Sequence, residues 1–374
     1  MSDAQRLRVE LGARSYDIVV GSQLLAQAGT LIASVVRQRR VIVVTDATVA
    51  RLHLEALRQG LALAGLTAEA VVVPPGEATK NFAHFQQLCE DILALGVERA
   101  TPIMALGGGV VGDLAGFAAA TLLRGLDYIQ VPTTLLAQVD SSVGGKTAID
   151  TRLGKNLVGA FHQPVLVIAD IDTLRTLPYR ELLAGYAEVV KYGLIRDRRF
   201  YEWLEARAGE LLAGDPALRR EAVLHSCAAK AAVVAADERE AGERALLNFG
   251  HTFGHALEAA TGFGGALLHG EAVALGMCMA FDLSTKLRLC PADAAARVRR
   301  HFAAVGLRTE IGELDADNLL ALMRKDKKVA DGRISLILAR DIGQAFVSRD
   351  VEPEMLCEFL RSEMRTLAAP VRAV

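Results

Sequence analysis

Three of the chain's 8 histidines, His251, His255 and His269, fall in one stretch between Leu246 and Val273. His251 and His255 are four residues apart, so on a helix they share one face. Glycines at 262, 264 and 265 end that helix, and His269 opens a second apolar segment able to fold back beside the first. Neutral imidazoles converging in this way suit a divalent cation such as zinc. Glu188 and Lys191, three apart in an otherwise apolar run, share the face of another helix. Glu188 either completes a Glu/His/His ligand set with an open coordination position, or forms an intrahelical ion pair with Lys191. Spacing alone leaves both open.

A second chemistry is carried by glycine. Gly107-Gly108-Gly109-Val110-Val111-Gly112-Asp113 follows a strand-like run and opens a helical pattern. Small residues there let backbone approach a pyrophosphate, and the helix N-terminus favours the anion. The acid that ordinarily meets the ribose is absent from the strand after this loop. Asp46, ending an earlier strand, is the better candidate, which implies a variant strand order with ligands at the carboxyl ends of the strands. A tight turn in an α/β domain is the simpler alternative. Val143-Gly144-Gly145-Lys146-Thr147 looks like the end of a P-loop, but the first glycine of that motif would occupy the position of Asp140, so it is rejected.

Arg124, Lys146, Lys155, Lys230, Arg244 and the Lys327-Lys328 pair stand among small or apolar neighbours. Singly, each suits a solvated surface. Together they suit a small substrate bearing carboxylate and phosphate, with Asp140, Asn156 and Asn248 available to orient hydroxyls.

These residues need a scaffold. In the first half, apolar runs at Val41–Thr45, Ala70–Val73, Pro102–Leu106, Tyr128–Val131 and Pro164–Ala169 alternate with helical stretches, including Lys80–Leu95. Continuous apolar strands separated by helices predict a mainly parallel sheet covered on both faces. From about Leu177 the pattern becomes long Ala- and Leu-rich helices, and only Ile334–Leu338 and Ala345–Val347 look extended. The expected division is therefore an α/β, Rossmann-like domain over residues 1–176 and a helical domain over residues 177–374.

At 374 residues and 52% hydrophobic content, the chain can bury a large core, built with only 5% aromatic residues. A net charge of -2 excludes a broadly basic nucleic-acid binder. The five cysteines lack ligand spacing and suit reduced thiols in a cytoplasmic protein. No apolar signal region opens the chain. The least charged run, Thr101–Leu123, is broken by glycines and carries Asp113, so no membrane span is expected.

Several motifs together resemble the 3-dehydroquinate synthases, sugar-phosphate cyclases. They are Pro75-Gly76-Glu77 with Lys80, the Gly107–Asp113 loop, Leu123-Arg124-Gly125, the block Val131–Lys146, Gly154-Lys155-Asn156-Leu157, Ala187-Glu188-Val189-Val190-Lys191, Asn248-Phe249-Gly250-His251 with His255, His269-Gly270-Glu271 and Asp326-Lys327-Lys328. They run in order from about Val41 to Asp350. The resemblance implies conversion of 3-deoxy-D-arabino-heptulosonate 7-phosphate to 3-dehydroquinate and phosphate, the second step of the shikimate route to chorismate and the aromatic amino acids. Its course is transient oxidation by NAD, phosphate elimination, re-reduction, ring opening and intramolecular aldol closure. It also implies one divalent metal, zinc or cobalt, and a homodimer.

By motif, Glu188, His251 and His269 would be the metal ligands. His255 moves to the substrate, with Lys146, Lys155, Lys191, Lys230, Arg244, Asn156, Asn248 and Lys327, while Asp140 stands near the metal-bound hydroxyls. Arg124 resembles the arginine that reaches the phosphate across the dimer interface. Asp46, Glu77, Lys80, Gly109, Asp113, Thr133, Thr134 and Thr176 would hold NAD, with Lys146 and Lys155 beside it. Ala148, Asp150 and Ile168-Ala169-Asp170 depart from the family pattern, at positions expected to touch no ligand. Rival readings are a sister cyclase acting on sedoheptulose 7-phosphate or glucose 6-phosphate, a metal-dependent polyol dehydrogenase, and an inactive homologue.

Overall fold

The computed structural model describes residues 4–238, 242–262, 265–311, 314–325, 329–330 and 333–366. The chain forms two compact units, Met1–Leu182 with Gly214–Glu238, and Leu183–Ala213 with Arg239–Val374.

The first unit is built on nine strands: β1 (Gln5–Val9), β2 (Tyr16–Gly21), β3 (Arg40–Asp46), β4 (Thr67–Val73), β5 (Ile103–Gly107), β6 (Tyr128–Pro132), β7 (Lys146–Thr151), β8 (Gly154–Phe161) and β9 (Leu166–Asp170). Seven of them form one sheet in the order β1-β2-β9-β6-β5-β3-β4. All its pairs are parallel except β1–β2. β7 and β8 make a separate antiparallel hairpin.

Successive residues of a strand point to opposite faces. Val41 and Val43 of β3 and Met104 and Leu106 of β5 therefore pack on one side, with Leu24, Leu57 and Leu61. Ile42, Val44, Ile103 and Ala105 pack on the other, with Leu88, Val111 and Leu114. Both faces need apolar cover, which is why these strands are unbroken apolar runs. After β4 the chain crosses to the far side of β3 to lay down β5. The crevice between the carboxyl ends of β3 and β5 is thus a switch point, where open α/β sheets take ligands. Asp46 and the Gly107–Gly109 turn stand at those two ends.

A single cut at residue 176 misses one helix. Pro216–Ala236 is counted with the sheet unit, where Cys227 Sγ reaches Gln138 O at 3.2 Å and Lys230 Nζ reaches Asp140 Oδ1 at 2.6 Å. Its Ala-rich sequence announces a helix but not the surface that covers it. The other boundary falls inside the helix Tyr179–Arg196, so helix type alone could not reveal it.

Among its described residues the second unit is helical apart from two short antiparallel pairs, one of them Leu336–Ala339 with Ala345–Ser348. All five cysteines are free, and burial pushes the Cys227 and Cys278 thiols up to about 12. None of the described helices is long and apolar enough to cross a membrane.

Inside this unit, His301 packs between Tyr186 and Tyr201, and its Nε2 accepts the Tyr186 hydroxyl at 3.0 Å. Burial lowers its pKa from 6.5 to about 4; Glu205 opposes this and Arg297 reinforces it. Between these values the unfolded chain takes a proton that the folded chain refuses. The contribution is whole above about pH 6.5, falls as the pH drops, and loses nothing further below about 4. At about pH 5, the wild type is expected to have lost about 2 kcal/mol through this group. Urea unfolding at pH 5 and 7 should therefore show a smaller pH difference in His301→Gln; an equal difference would clear His301 of that role.

Candidate active site

Three helices of the second unit bring the metal candidates together. Glu188 and Lys191 lie on Tyr179–Arg196. His251 is the first residue of His251–Ala260, and His269 the first of His269–Lys286. Glycine sets the closeness of these helices. A Cβ on Gly270 would meet Ala184 O at 1.9 Å, and one on Gly276 would meet Gly250 O at 2.0 Å. Gly250 also turns the chain into the His251 helix at φ 81°, a left-handed conformation that favours glycine. Backbone therefore touches backbone, and short side chains meet across the gaps.

The meeting point is Glu188, which is fully buried. Its Oε1 lies 3.5 Å from His251 Nε2 and 3.7 Å from His269 Nε2. Ligands on a tetrahedral zinc with bonds of about 2.1 Å stand about 3.4 Å apart, so the spacing fits direct coordination. Oε2 is in ion-pair contact with Lys191 Nζ. Oε1 has no hydrogen-bond donor among the described residues. A buried carboxylate oxygen left without a donor is costly, and a cation between it and two imidazoles would satisfy it. His251 Nδ1 faces Phe249 O at 3.2 Å, which as a donated hydrogen bond leaves the Nε2 lone pair toward Glu188. The donor set fits a divalent metal.

The shared helix face of His251 and His255 is real, but the rings meet at right angles, centroids 5.4 Å apart. Geometry pairs His251 with His269 instead, and their ligand atoms and that of Glu188 all lie within 4.8 Å of one another. His255 stands alongside, 6.1 Å from the His269 ring. The two readings of Glu188 coexist: it pairs with Lys191 and faces the imidazoles. Arg244, 2% exposed, and Asn248 lie in the short helix Glu243–Asn248 that precedes His251. Glu258 was not anticipated from the sequence, yet its Oε2 is 3.1 Å from His269 Nδ1. It lies seven residues after His251 and three after His255, the helical stripe that could have disclosed it.

The first unit gathers most of the remaining candidates. Lys80, 4% exposed, joins Asp113 Oδ2 and Asn156 Oδ1, each at 2.5 Å. Burial lowers the Lys80 pKa, but the charges of Asp113 and Glu77 outweigh it and the net shift is upward. Burial raises the Asp113 carboxyl, against the pull of Lys80. Lys155 Nζ lies 3.7 Å from Glu77 Oε1. Asp46 Oδ1 accepts from the backbone N–H groups of Thr48 and Val49, so part of its capacity is spent capping a turn. Thr133 N–H bonds Gly107 O at 3.0 Å, and a Cβ on Gly108 would meet the Thr134 methyl at 3.0 Å. Both threonines therefore line the glycine turn that Gly109 follows. Thr176 Oγ1 meets His53 Nε2 at 2.9 Å, a histidine that no motif or spacing singles out.

Gly144 and Gly145, at φ 97° and 65°, turn the chain into β7, so Lys146 opens a strand and not the helix of a P-loop. Lys146 is exposed, as is Arg124, which has φ 70°. Asp150, one of the departures from the family pattern, bonds two candidate residues: its Oδ1 accepts from Asn156 N–H at 2.9 Å, and its N–H donates to Lys80 O at 2.7 Å. Hairpin pairing of β7 with β8 folds it back there, which spacing along the chain does not reveal. Lys327 and Lys328 lie outside the described residues.

The family model of the 3-dehydroquinate synthase N-terminal part matches residues 70–184, and that of the C-terminal part matches residues 185–329. The chain is 59% identical over 362 residues to a 3-dehydroquinate synthase of Rhodospirillum rubrum, covering 95% of this chain and 94% of that one. It is 55% identical over 365 residues to one of a Ruegeria species, covering 96% and 98%. Among solved structures it is similar to a 2-deoxy-scyllo-inosose synthase complexed with carbaglucose-6-phosphate, NAD+ and Co2+ (TM-score 0.86, 27% identity, 96% and 100% coverage). It is also similar to a 2-epi-5-epi-valiolone synthase of Streptomyces hygroscopicus with NAD+ and Zn2+ bound (TM-score 0.87, 29% identity, 96% and 97% coverage). A glycerol dehydrogenase of Schizosaccharomyces pombe shares the fold at 16% identity (TM-score 0.69, 94% and 89% coverage).

Gly270 offers a direct check on the helix packing. Gly270→Ala is expected to lose about 1–3 kcal/mol of stability, because the colliding atom is backbone. Gly209, within Arg198–Ala213, has open space around its missing Cβ, so Gly209→Ala should gain up to about 1 kcal/mol. Thermal denaturation of both variants would show opposite shifts; a harmless Gly270→Ala would refute the close packing.

Proposed function

The chain belongs to the 3-dehydroquinate synthase family, and from that premise we propose that it converts 3-deoxy-D-arabino-heptulosonate 7-phosphate to 3-dehydroquinate and phosphate, as a carbon–oxygen lyase. The observation that carries the reading is the buried Glu188 Oε1, without a donor and facing two imidazole nitrogens at 3.5 and 3.7 Å. Glu188, His251 and His269 are the residues that would hold a zinc or cobalt ion. The switch-point crevice of the first unit, with Asp46, Gly109, Asp113, Thr133 and Thr134, would hold NAD, with Glu77, Lys80 and Thr176 nearby. When bound, the two cofactors supply a reversible hydride acceptor and a polarising charge on the substrate hydroxyls.

The chain's own residues bind and orient. Lys191 balances the Glu188 charge and offers further N–H donors to a substrate oxygen. His255, beside the donor set, suits proton exchange with a substrate hydroxyl. Arg244, Asn248, Lys146, Lys155 and Asn156 supply donors for carboxylate, phosphate and hydroxyls. Lys230 is already held by Asp140, at Oδ1 and at the backbone oxygen, which fixes both groups before substrate arrives. Lys327, with no described position, keeps its substrate role by motif only. Exposed Arg124 is suited to reach a phosphate on a second copy in a homodimer. We place the enzyme in the cytoplasm, acting on a small anionic substrate without a nucleic-acid or membrane partner. The sister cyclases are the weaker reading, at 26–29% identity against 54–59% for the synthases.

Phosphate release from the heptulosonate phosphate by metal-loaded protein tests this. Release that requires NAD+ and leaves no net NADH is expected. Net NADH without phosphate would instead indicate a dehydrogenase, and inertness toward this substrate with turnover of another sugar phosphate a sister cyclase. Glu188→Gln should weaken metal binding by at least about 100-fold and remove activity with it. Unchanged metal content would take Glu188 out of the ligand set.

A further inference from the structure

We infer that Glu258 is a positioning residue whose carboxylate fixes the tautomer of His269 and so decides which of two overlapping donor groups takes the metal. The inference rests on the ligand set proposed above. Two groups have ligand atoms within 4.8 Å of one another: Glu188, His251 and His269, and His255, Glu258 and His269. His269 belongs to both. A neutral imidazole carries one N–H and one lone pair, so it serves one group at a time as a ligand.

Glu258 settles the choice. It sits on the His251–Ala260 helix, 4% exposed, where an ionised carboxylate requires a donor. His269 Nδ1 is 3.1 Å from its Oε2, while the His269 side chain remains 34% exposed. A neutral imidazole can carry its proton on either nitrogen, and an acceptor facing one of them decides which. With it, Nδ1 carries the proton, and the lone pair is left on Nε2, the nitrogen 3.7 Å from Glu188 Oε1. The same hydrogen bond raises the basicity of Nε2 as a ligand. Coordination in the second group through Nδ1, the nitrogen that faces Glu258, would displace its proton and leave Glu188 Oε1 without a cation. Glu258 therefore orients a ligand without being one.

The test uses metal-free full-length protein. Long-range proton–nitrogen correlation NMR in mildly alkaline buffer should show His269 of the wild type as the Nδ1–H tautomer. Glu258→Ala should shift it toward a mixture or to Nε2–H. Titration with Co2+ against a chromophoric chelator should give one equivalent per chain in every variant. Affinity should fall about 10–100-fold in Glu258→Ala and less in Glu258→Gln, whose amide oxygen can still accept the Nδ1 proton. Circular dichroism checks folding, and should a variant not fold, the wild-type tautomer still decides. An Nε2–H tautomer in the wild type, wild-type affinity in folded Glu258→Ala, or a second equivalent of metal lost with Glu258 would each overturn the inference. If Glu188→Gln also keeps its metal, the ligand set itself has failed; if Glu188→Gln loses metal and Glu258→Ala does not, only the role of Glu258 has.

Discussion

A carboxylate with no exposed surface is the constraint on which the second unit depends. Removing an isolated ionised carboxylate from water costs many kcal/mol unless partners replace the solvent. Glu188 has Lys191 on one oxygen and two imidazole nitrogens facing the other. The nearby packing serves that arrangement. Gly250, Gly270 and Gly276 bring backbones closer than any side chain would permit. His251 and His269 begin their helices, where a side chain reaches across to a neighbouring element more readily than from the middle of a packed face. The helix bearing Glu188 is buried around that residue, from Tyr186 through Tyr192, so its i, i+3 ion pair is screened from water.

The first unit meets the same difficulty with the opposite sign. Lys80 is nearly buried, and an ammonium there depends on Asp113 and Asn156, which arrive from the glycine-loop helix and from the hairpin. A sheet covered on both faces leaves its polar groups little room except at the strand ends. The carboxyl ends of β3 and β5 are where Asp46, Gly107 and Thr133 gather, because the crossover after β4 keeps any connecting segment from filling that crevice.

Much of this was legible in the sequence, for physical reasons. The apolar runs Val41–Val44, Ile103–Leu106 and Leu166–Ala169 of β3, β5 and β9 are buried on both faces and so lack polar interruptions. The glycine fingerprint is legible because the side chains of Val111, Thr134 and Ser141 occupy the space that a Cβ on Gly107, Gly108 or Gly109 would need. What was hidden is what depends on partners distant in the chain. β1 and β2 lie at or near the sheet edge, and the mixed polarity of Gln5–Val9 gave no apolar run to find. The helix Pro216–Ala236 has the composition of the helical unit but packs with the sheet. Spacing put His255 with His251 because it counts residues along one helix. It cannot foresee that Gly270 lets another helix in, bringing His269 closer to Glu188. Asp150 lies far along the chain from Lys80, and only the hairpin brings it against that residue as well as Asn156.

Charge balance links these details to chemistry. Glu188 and Lys191 cancel, and His251, His255 and His269 add nothing while neutral. A divalent cation placed among them would leave an excess of two positive charges in a region of low dielectric, where Coulomb terms are strong. Glu258, buried beside His269, removes part of that excess through the imidazole it holds. The remainder would favour an anionic ligand over a neutral polyol. A site that cycles a substrate through oxidation and back needs this bias. The intermediate must stay bound throughout, and a field that prefers dianions to neutral alcohols retains a phosphorylated acid more strongly than a simple alcohol or ketone.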